Sequence, residues 1–191
     1  KSYLDSTYLK TAKQAKISEK ENTVLVQNFV QETIDENFKL VMIRPDKVAL
    51  AKKLIDSQNS KVLIGTVIGF PEGTNTIEEK LAEAKQAIKD GADELDFVVN
   101  FEAFKSGELE LVKEEVLQGT KLGLQHHKTV KWIIEIAALN GAQIIQITSL
   151  IKNVVVANFK EKDFENVFVK SSTGFYKTFD GLPNGATFPA I

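Results

Sequence analysis

The stretch Val167-Phe168-Val169-Lys170-Ser171-Ser172-Thr173-Gly174 sets a lysine in a run of β-branched and aromatic residues. Such a run predicts a buried strand. A cation there is costly unless it is neutral or does chemistry. A desolvated lysine has a lowered pKa, and its free amine can attack a carbonyl to form a Schiff base. The hydroxyls of Ser171, Ser172 and Thr173 suit a substrate, and Gly174 lets backbone approach a phosphate. The structural alternative is a lysine at a strand end that snorkels to solvent.

Outward from this stretch, short β-rich runs alternate with helical patterns. The runs are Tyr3 to Thr7, Phe38 to Arg44, Val62 to Phe70, Leu95 to Asn100, Val130 to Ile136 and Val167 to Ser172. Ser18 with Glu21, and Thr76 with Glu79, have the spacing of capping boxes. Apolar helix faces are predicted from Val26, Phe29, Val30 and Ile34; from Val48, Ala51 and Ile55; from Ile77, Leu81, Ala84 and Ile88; from Leu109, Val112 and Val116; and from Ile144, Ile147 and Ile151. Gly91 has the place of a glycine that ends the third of these helices.

Strand-helix alternation predicts a parallel sheet with right-handed crossovers. Asp5, Asp96, Asn100, Glu135, Lys170 and Ser172 sit in or at the C-terminal ends of different strands. A (β/α)8 TIM barrel gathers residues from many strands at one mouth. An open doubly wound sheet gathers them at one switch point, usually behind a glycine-rich loop, and no such loop sequence occurs. The α/β class and the barrel are therefore expected. A barrel has eight strands and about 250 residues, against six predicted strands in 191 residues. The expectation is a single (β/α) barrel domain over residues 1–191 that lacks its last two strands.

The net charge of −2 gives no electrostatic reason to expect nucleic acid or an anionic membrane as partner. The absence of cysteine rules out a disulfide or thiolate zinc site and fits a reducing cytosol, so a cytoplasmic location is expected. His126 and His127 are the only histidines and fall in a predicted loop, so no metal and no cofactor is expected. No apolar run is long enough to span a bilayer.

Several motifs in order resemble the deoxyribose-phosphate aldolase family, class I aldolases on a (β/α)8 barrel. They are Leu4-Asp5-Ser6-Thr7-Tyr8-Leu9-Lys10, Val41-Met42-Ile43-Arg44-Pro45, Gly65-Thr66-Val67-Ile68-Gly69-Phe70-Pro71-Glu72-Gly73, Gly91-Ala92-Asp93-Glu94-Leu95-Asp96-Phe97-Val98-Val99-Asn100, Trp132-Ile133-Ile134-Glu135 and Val169-Lys170-Ser171-Ser172-Thr173-Gly174-Phe175. Gly181-Leu182-Pro183-Asn184-Gly185-Ala186-Thr187 fits the loop before the family's next helix. The resemblance implies reversible cleavage of 2-deoxy-D-ribose 5-phosphate to acetaldehyde and D-glyceraldehyde 3-phosphate. It implies small phosphorylated sugar and aldehyde substrates, and a homo-oligomer.

By the same resemblance, Lys170 is the Schiff-base lysine, Asp96 works in the proton relay and Asp5 supports its polar network. Thr7 and Thr173 are substrate-side hydroxyls, and Gly174 offers a backbone N–H near the phosphate. The family's second active-site lysine and its Gly-Gly phosphate loop do not occur in this sequence. The residues alone leave other readings open. Asp96 could pair with a buried lysine, Asp5 could be a turn residue, and Glu135 could hold an interior polar network. A Schiff-base barrel for another substrate, or an inactive barrel used as a binding module, would carry many of the same features.

Overall fold

A computed structural model describes residues 4–179 and 181–186. Tyr3 of the first predicted run, and Thr187 onward, lie outside the described residues. The six β-rich runs form six parallel strands: β1 (Asp5–Tyr8), β2 (Leu40–Ile43), β3 (Leu63–Ile68), β4 (Glu94–Val98), β5 (Thr129–Ile133) and β6 (Val167–Lys170). Helices fall between them: α1 (Ala12–Ala15), α2 (Glu19–Asp35), α3 (Val48–Ser57), α4 (Ile77–Asp90), α5 (Phe101–Lys105), α6 (Leu109–Gln125) and α7 (Gly141–Asn158). This is the strand-helix alternation of the barrel reading, carried through six strands.

Both predicted capping boxes form. Ser18 accepts from the Glu21 N–H at 3.2 Å, and Glu21 accepts from the Ser18 N–H at 2.8 Å. Thr76 and Glu79 exchange the same two bonds at the start of α4. Each box gives two orphan helix-end donors an acceptor. Gly91 follows α4 with φ of +107°, so the chain turns off the helix there.

The chain groups into two compact units. One holds residues up to Val67 together with Lys85–Glu94; the other holds Ile68–Ala84 and the chain from Leu95 on. In the first unit β1, β2 and β3 pair in that order, with Asp5 opposite Leu40 and Leu40 opposite Leu63. Every residue of β2 is buried, as expected of a parallel strand covered on both faces. Gly65 on β3 is the partner of Met42 on β2. A Cβ at Gly65 would come within 2.5 Å of Met42 Cε and 2.9 Å of Leu40 Cδ2. The Met42 side chain thus fills the space that a side chain at 65 would need.

In the second unit β4, β5 and β6 are successive neighbours, with Ile133 opposite Lys170 and Trp132 opposite Val169. Alternation sorts their side chains onto two faces. One face carries Phe97 and Trp132, whose rings stack with centroids 4.9 Å apart. The Trp132 indole N–H donates to the Thr120 hydroxyl on α6 at 3.0 Å, which satisfies a donor that is otherwise fully buried. Gly119 lets α6 approach, since a Cβ there would lie 2.8 Å from the indole. The other face carries Asp96, Val98, Ile133 and Lys170.

Of the predicted helix faces, Val26, Val30, Val48, Ala51, Ile55, Ala84, Val112, Val116, Ile147 and Ile151 are buried. Leu109 differs: it is 41% exposed. It stands in the first turn of α6 and borders an open groove with Ile145 of α7, so only the later turns of that face reach the core.

Candidate active site

Lys170 ends β6, which is not the buried strand its composition predicts: β6 ends the sheet order, and Phe168 and Val169 are 47% and 41% exposed. The Lys170 carbonyl accepts from the Ile134 N–H at 3.0 Å. The next carbonyl, of Ser171, accepts from the Ile136 N–H at 2.9 Å. The sheet therefore fixes the backbone on both sides of the lysine side chain's origin. Lys170 Nζ donates to Asp96 Oδ2 at 2.6 Å. That contact passes over β5, so both side chains rise from the same face of the sheet.

The two partners differ in access. The Asp96 side chain is 0% exposed, and the Lys170 side chain 32%. Asp96 lies between Leu95 and Phe97 on a strand buried throughout, where an isolated carboxylate would be expensive. The lysine supplies the opposite charge while its amine keeps one side open to a small molecule.

Glu135 follows β5 and turns the chain with φ of +51° into a short 3-10 turn at Ile136–Ala138. It is almost fully buried. Glu135 Oε2 accepts the Thr173 N–H at 3.0 Å and also the Thr173 hydroxyl. Thr173 Oγ1 in turn accepts the Phe175 N–H at 3.0 Å. Burial pushes the Glu135 carboxyl above the usual carboxylate range, and the Thr173 bonds pull part of the way back. Glu135 thereby clamps the loop after Lys170 from within. Gly174 has φ of +75°, and its carbonyl accepts from Asn184 Nδ2 at 2.9 Å.

Aromatic residues from segments that follow three different strands meet beside this face. Phe70 packs edge-on against Phe175 at 5.0 Å, and Phe101 against Tyr176 at 6.0 Å. Phe70 and Tyr176 also pack on the cluster of Val98, Phe101 and Ile133. An apolar surround of this kind strengthens electrostatic interactions inside it.

Of the residues singled out from sequence, Lys170 and Asp96 touch, and Thr173 and Gly174 lie in the clamped loop. Asp5 and Thr7 lie on β1 in the first unit, opposite Leu40 and Met42. Asn100 caps α5, where its Oδ1 accepts the Ala103 N–H at 2.9 Å. No group of acidic, histidine or cysteine side chains suited to a metal ion occurs among the described residues.

Sequence reasoning missed a second lysine–carboxylate pair, Lys80 on α4 with Glu115 on α6. The signal was present. Lys80 is three residues after Ile77 and four before Ala84, and Glu115 is three after Val112, so both occupy core-facing helix positions.

The chain is similar to known proteins over most of its length. The chain is 39% identical over 150 residues to a deoxyribose-phosphate aldolase of Metamycoplasma hominis, an alignment covering 78% of this chain and 63% of that protein. It is 35% identical over 173 residues to the deoxyribose-phosphate aldolase of Thermococcus kodakarensis, covering 91% of this chain and 69% of the other. The solved tetrameric deoxyribose-phosphate aldolase of Aeropyrum pernix superposes with a TM-score of 0.70 at 28% identity, over 92% of this chain and 65% of that one. The chain thus spans about two thirds of the length of these relatives. With a family profile of DeoC/LacD aldolases matching residues 4–178, which run from before β1 to beyond the Lys170 loop, the chain belongs to the DeoC/LacD aldolase family.

Proposed function

We propose that this chain carries out the reversible cleavage of 2-deoxy-D-ribose 5-phosphate to acetaldehyde and D-glyceraldehyde 3-phosphate through a Schiff base on Lys170. The observation that carries the reading is the Lys170 amine, partly open to solvent, held 2.6 Å from a fully buried Asp96 carboxylate.

In this reading Lys170 passes a proton to the Asp96 carboxylate, and the amine so freed adds to C1 of the open-chain sugar; a proton moves from its nitrogen to the C1 oxygen to give a carbinolamine. Asp96 returns its proton to the carbinolamine hydroxyl, which leaves as water and forms the iminium. The C2–C3 bond then breaks. Its electrons move to the iminium nitrogen as an enamine forms, and the C3 hydroxyl loses its proton to the Asp96 carboxylate. Glyceraldehyde 3-phosphate departs, C2 of the enamine takes that proton, and water hydrolyses the new iminium to release acetaldehyde and restore the amine. The electron sink is the iminium, so the bond cleavage is balanced with protein groups and water alone.

Thr173 and Gly174 are the substrate-side groups of this scheme, held by the Glu135 clamp. Asp5 and Thr7 are assigned by family resemblance to the supporting network and a substrate hydroxyl contact. The tetrameric Aeropyrum relative supports a homo-oligomer, read by light scattering. No helix among the described residues is long and apolar enough to cross a membrane. A cytoplasmic location is proposed, read by fractionation of the source cells.

The test is borohydride reduction in the presence of acetaldehyde or deoxyribose 5-phosphate, followed by peptide mapping. A reduced adduct on Lys170 is expected. An adduct on another lysine, or none, overturns the assignment.

A further inference from the structure

Lys80 and Glu115 form a buried lysine–carboxylate pair in the second unit, and their side chains are 2% and 4% exposed. An ammonium has three N–H donors, and all three of Lys80's are used. They go to the Gly73 carbonyl at 2.5 Å, to the Val98 carbonyl at 2.8 Å and to Glu115 Oε1. Glu115 spends its other oxygen on the Asn100 N–H at 2.9 Å. The pair thus ties together the turn after β3, the last residue of β4 and the start of α5.

The turn at residues 69–73 is built around this lysine. Its Gly73 N–H donates to the Gly69 carbonyl at 2.8 Å, and the Gly69 N–H donates to Glu83 at 2.7 Å. Both glycines have positive φ, and a Cβ at Gly73 would lie 2.3 Å from the Val99 carbonyl oxygen. The turn therefore rests directly on the end of β4. Burial lowers the Lys80 pKa and raises that of Glu115, while Glu115 and Glu83 support the ammonium. A buried ion pair of this sort is weak in stability terms, because apolar residues of similar volume often do as well. What it supplies is a fixed geometry at several backbone groups, since a fully satisfied buried network is rigid. Val98, which Lys80 holds by its carbonyl, lies two residues beyond Asp96 on β4 and projects from the same face.

We propose that Lys80 and Glu115 are positioning residues: by tying the turn after β3 to the C-terminal end of β4, they set the Asp96 carboxylate against the Lys170 amine. The proposal rests on the Schiff-base reading above. Releasing the end of β4 loosens the contact between Asp96 and Lys170. The proton relay between them then slows.

The experiment compares the wild-type chain with the double variant K80M/E115M, which removes both charges and keeps the volume. Folding is followed by thermal melting, the rate of Lys170 adduct formation by acetaldehyde and borohydride, and kcat and KM with deoxyribose 5-phosphate. The expected result is a folded variant that still forms the Lys170 adduct, but more slowly. Its kcat falls by about a hundredfold with little change in KM, the scale of loss from small misplacement of reacting groups. A folded double variant with the wild-type adduct rate and kcat overturns the proposal. Should the double variant fail to fold, Glu115→Asp keeps the charge and draws the anchor back by one methylene. A slower adduct and a lower kcat at similar KM in that variant support the proposal, and unchanged values overturn it. A wild-type protein that gives no adduct on Lys170 removes the Schiff-base reading and this one together; a wild-type adduct with unchanged variants removes this one alone.

Discussion

Two lysine–carboxylate pairs lie in the same unit and differ in what surrounds them. Lys80 is sealed and spends all three donors on two backbone carbonyls and one carboxylate. Lys170 meets its carboxylate at 2.6 Å with nearly a third of its side chain open. The same two functional groups thus serve architecture in one place and present a nucleophile in the other. The difference lies in access to the amine, because a nucleophile needs an approach path and a structural ion needs none.

The sharpest way to break the comparison is Lys170→Ala. It should abolish the borohydride adduct completely while thermal melting stays close to wild type. Water can enter the vacated space, because Lys170 is already partly exposed, and solvate Asp96. Collapse of the fold in that variant would make the open pair structural as well. Asp96→Asn comes next. The amide cannot pass a proton, so kcat should fall by about 10²–10⁴-fold while some Lys170 adduct still forms in peptide maps. Unchanged turnover would take Asp96 out of the relay.

Lys80→Met tests the sealed pair from the stability side. Removing one partner strands a buried carboxylate, which typically costs about 3–5 kcal/mol, measured by urea denaturation. The double variant K80M/E115M should recover most of that loss. If the single variant melted like wild type, the pair would not be the closed network described.

The smallest effect concerns Glu135. Its folded pKa is raised by burial, so between the ordinary carboxylate pKa and the raised one the folded state holds a proton that the unfolded state has lost. Stability should therefore fall as pH rises through that window, and the loss should be absent in Glu135→Gln. Denaturation midpoints collected across mildly acidic pH decide it; parallel curves for the two proteins would contradict the assignment.

Much of this was readable in the residues, for reasons that differ by element. β2 is a run of apolar residues covered on both faces, so its composition alone marks it. The Ser18 and Thr76 boxes are local, three residues apart, and need no tertiary partner. Strand ends were harder to place. The run from Val130 to Ile136 reads as one strand, but β5 stops at Ile133, because Glu135 takes a left-handed turn to reach Thr173, 38 residues away in sequence. The lysine at 170 stood out because its strand neighbours are apolar. Lys80 did not, because a lysine in a helix is commonplace and only its phase relative to Ile77 and Ala84 marks it as buried. The face of α6 is legible from Val112 onward but misleads at Leu109, whose burial depends on what α7 covers.

Met42 and Gly65 carry a consequence for how this chain can change over generations. Because the methionine tip occupies the place of a side chain at 65, position 65 does not vary independently of its neighbours. A methyl gained there would meet Met42 Cε at 2.5 Å and Leu40 Cδ2 at 2.9 Å, so both side chains must give way to admit it. Enlargement at 65 is thus expected to travel with changes at 40 and 42, a dependence among three positions on two facing strands.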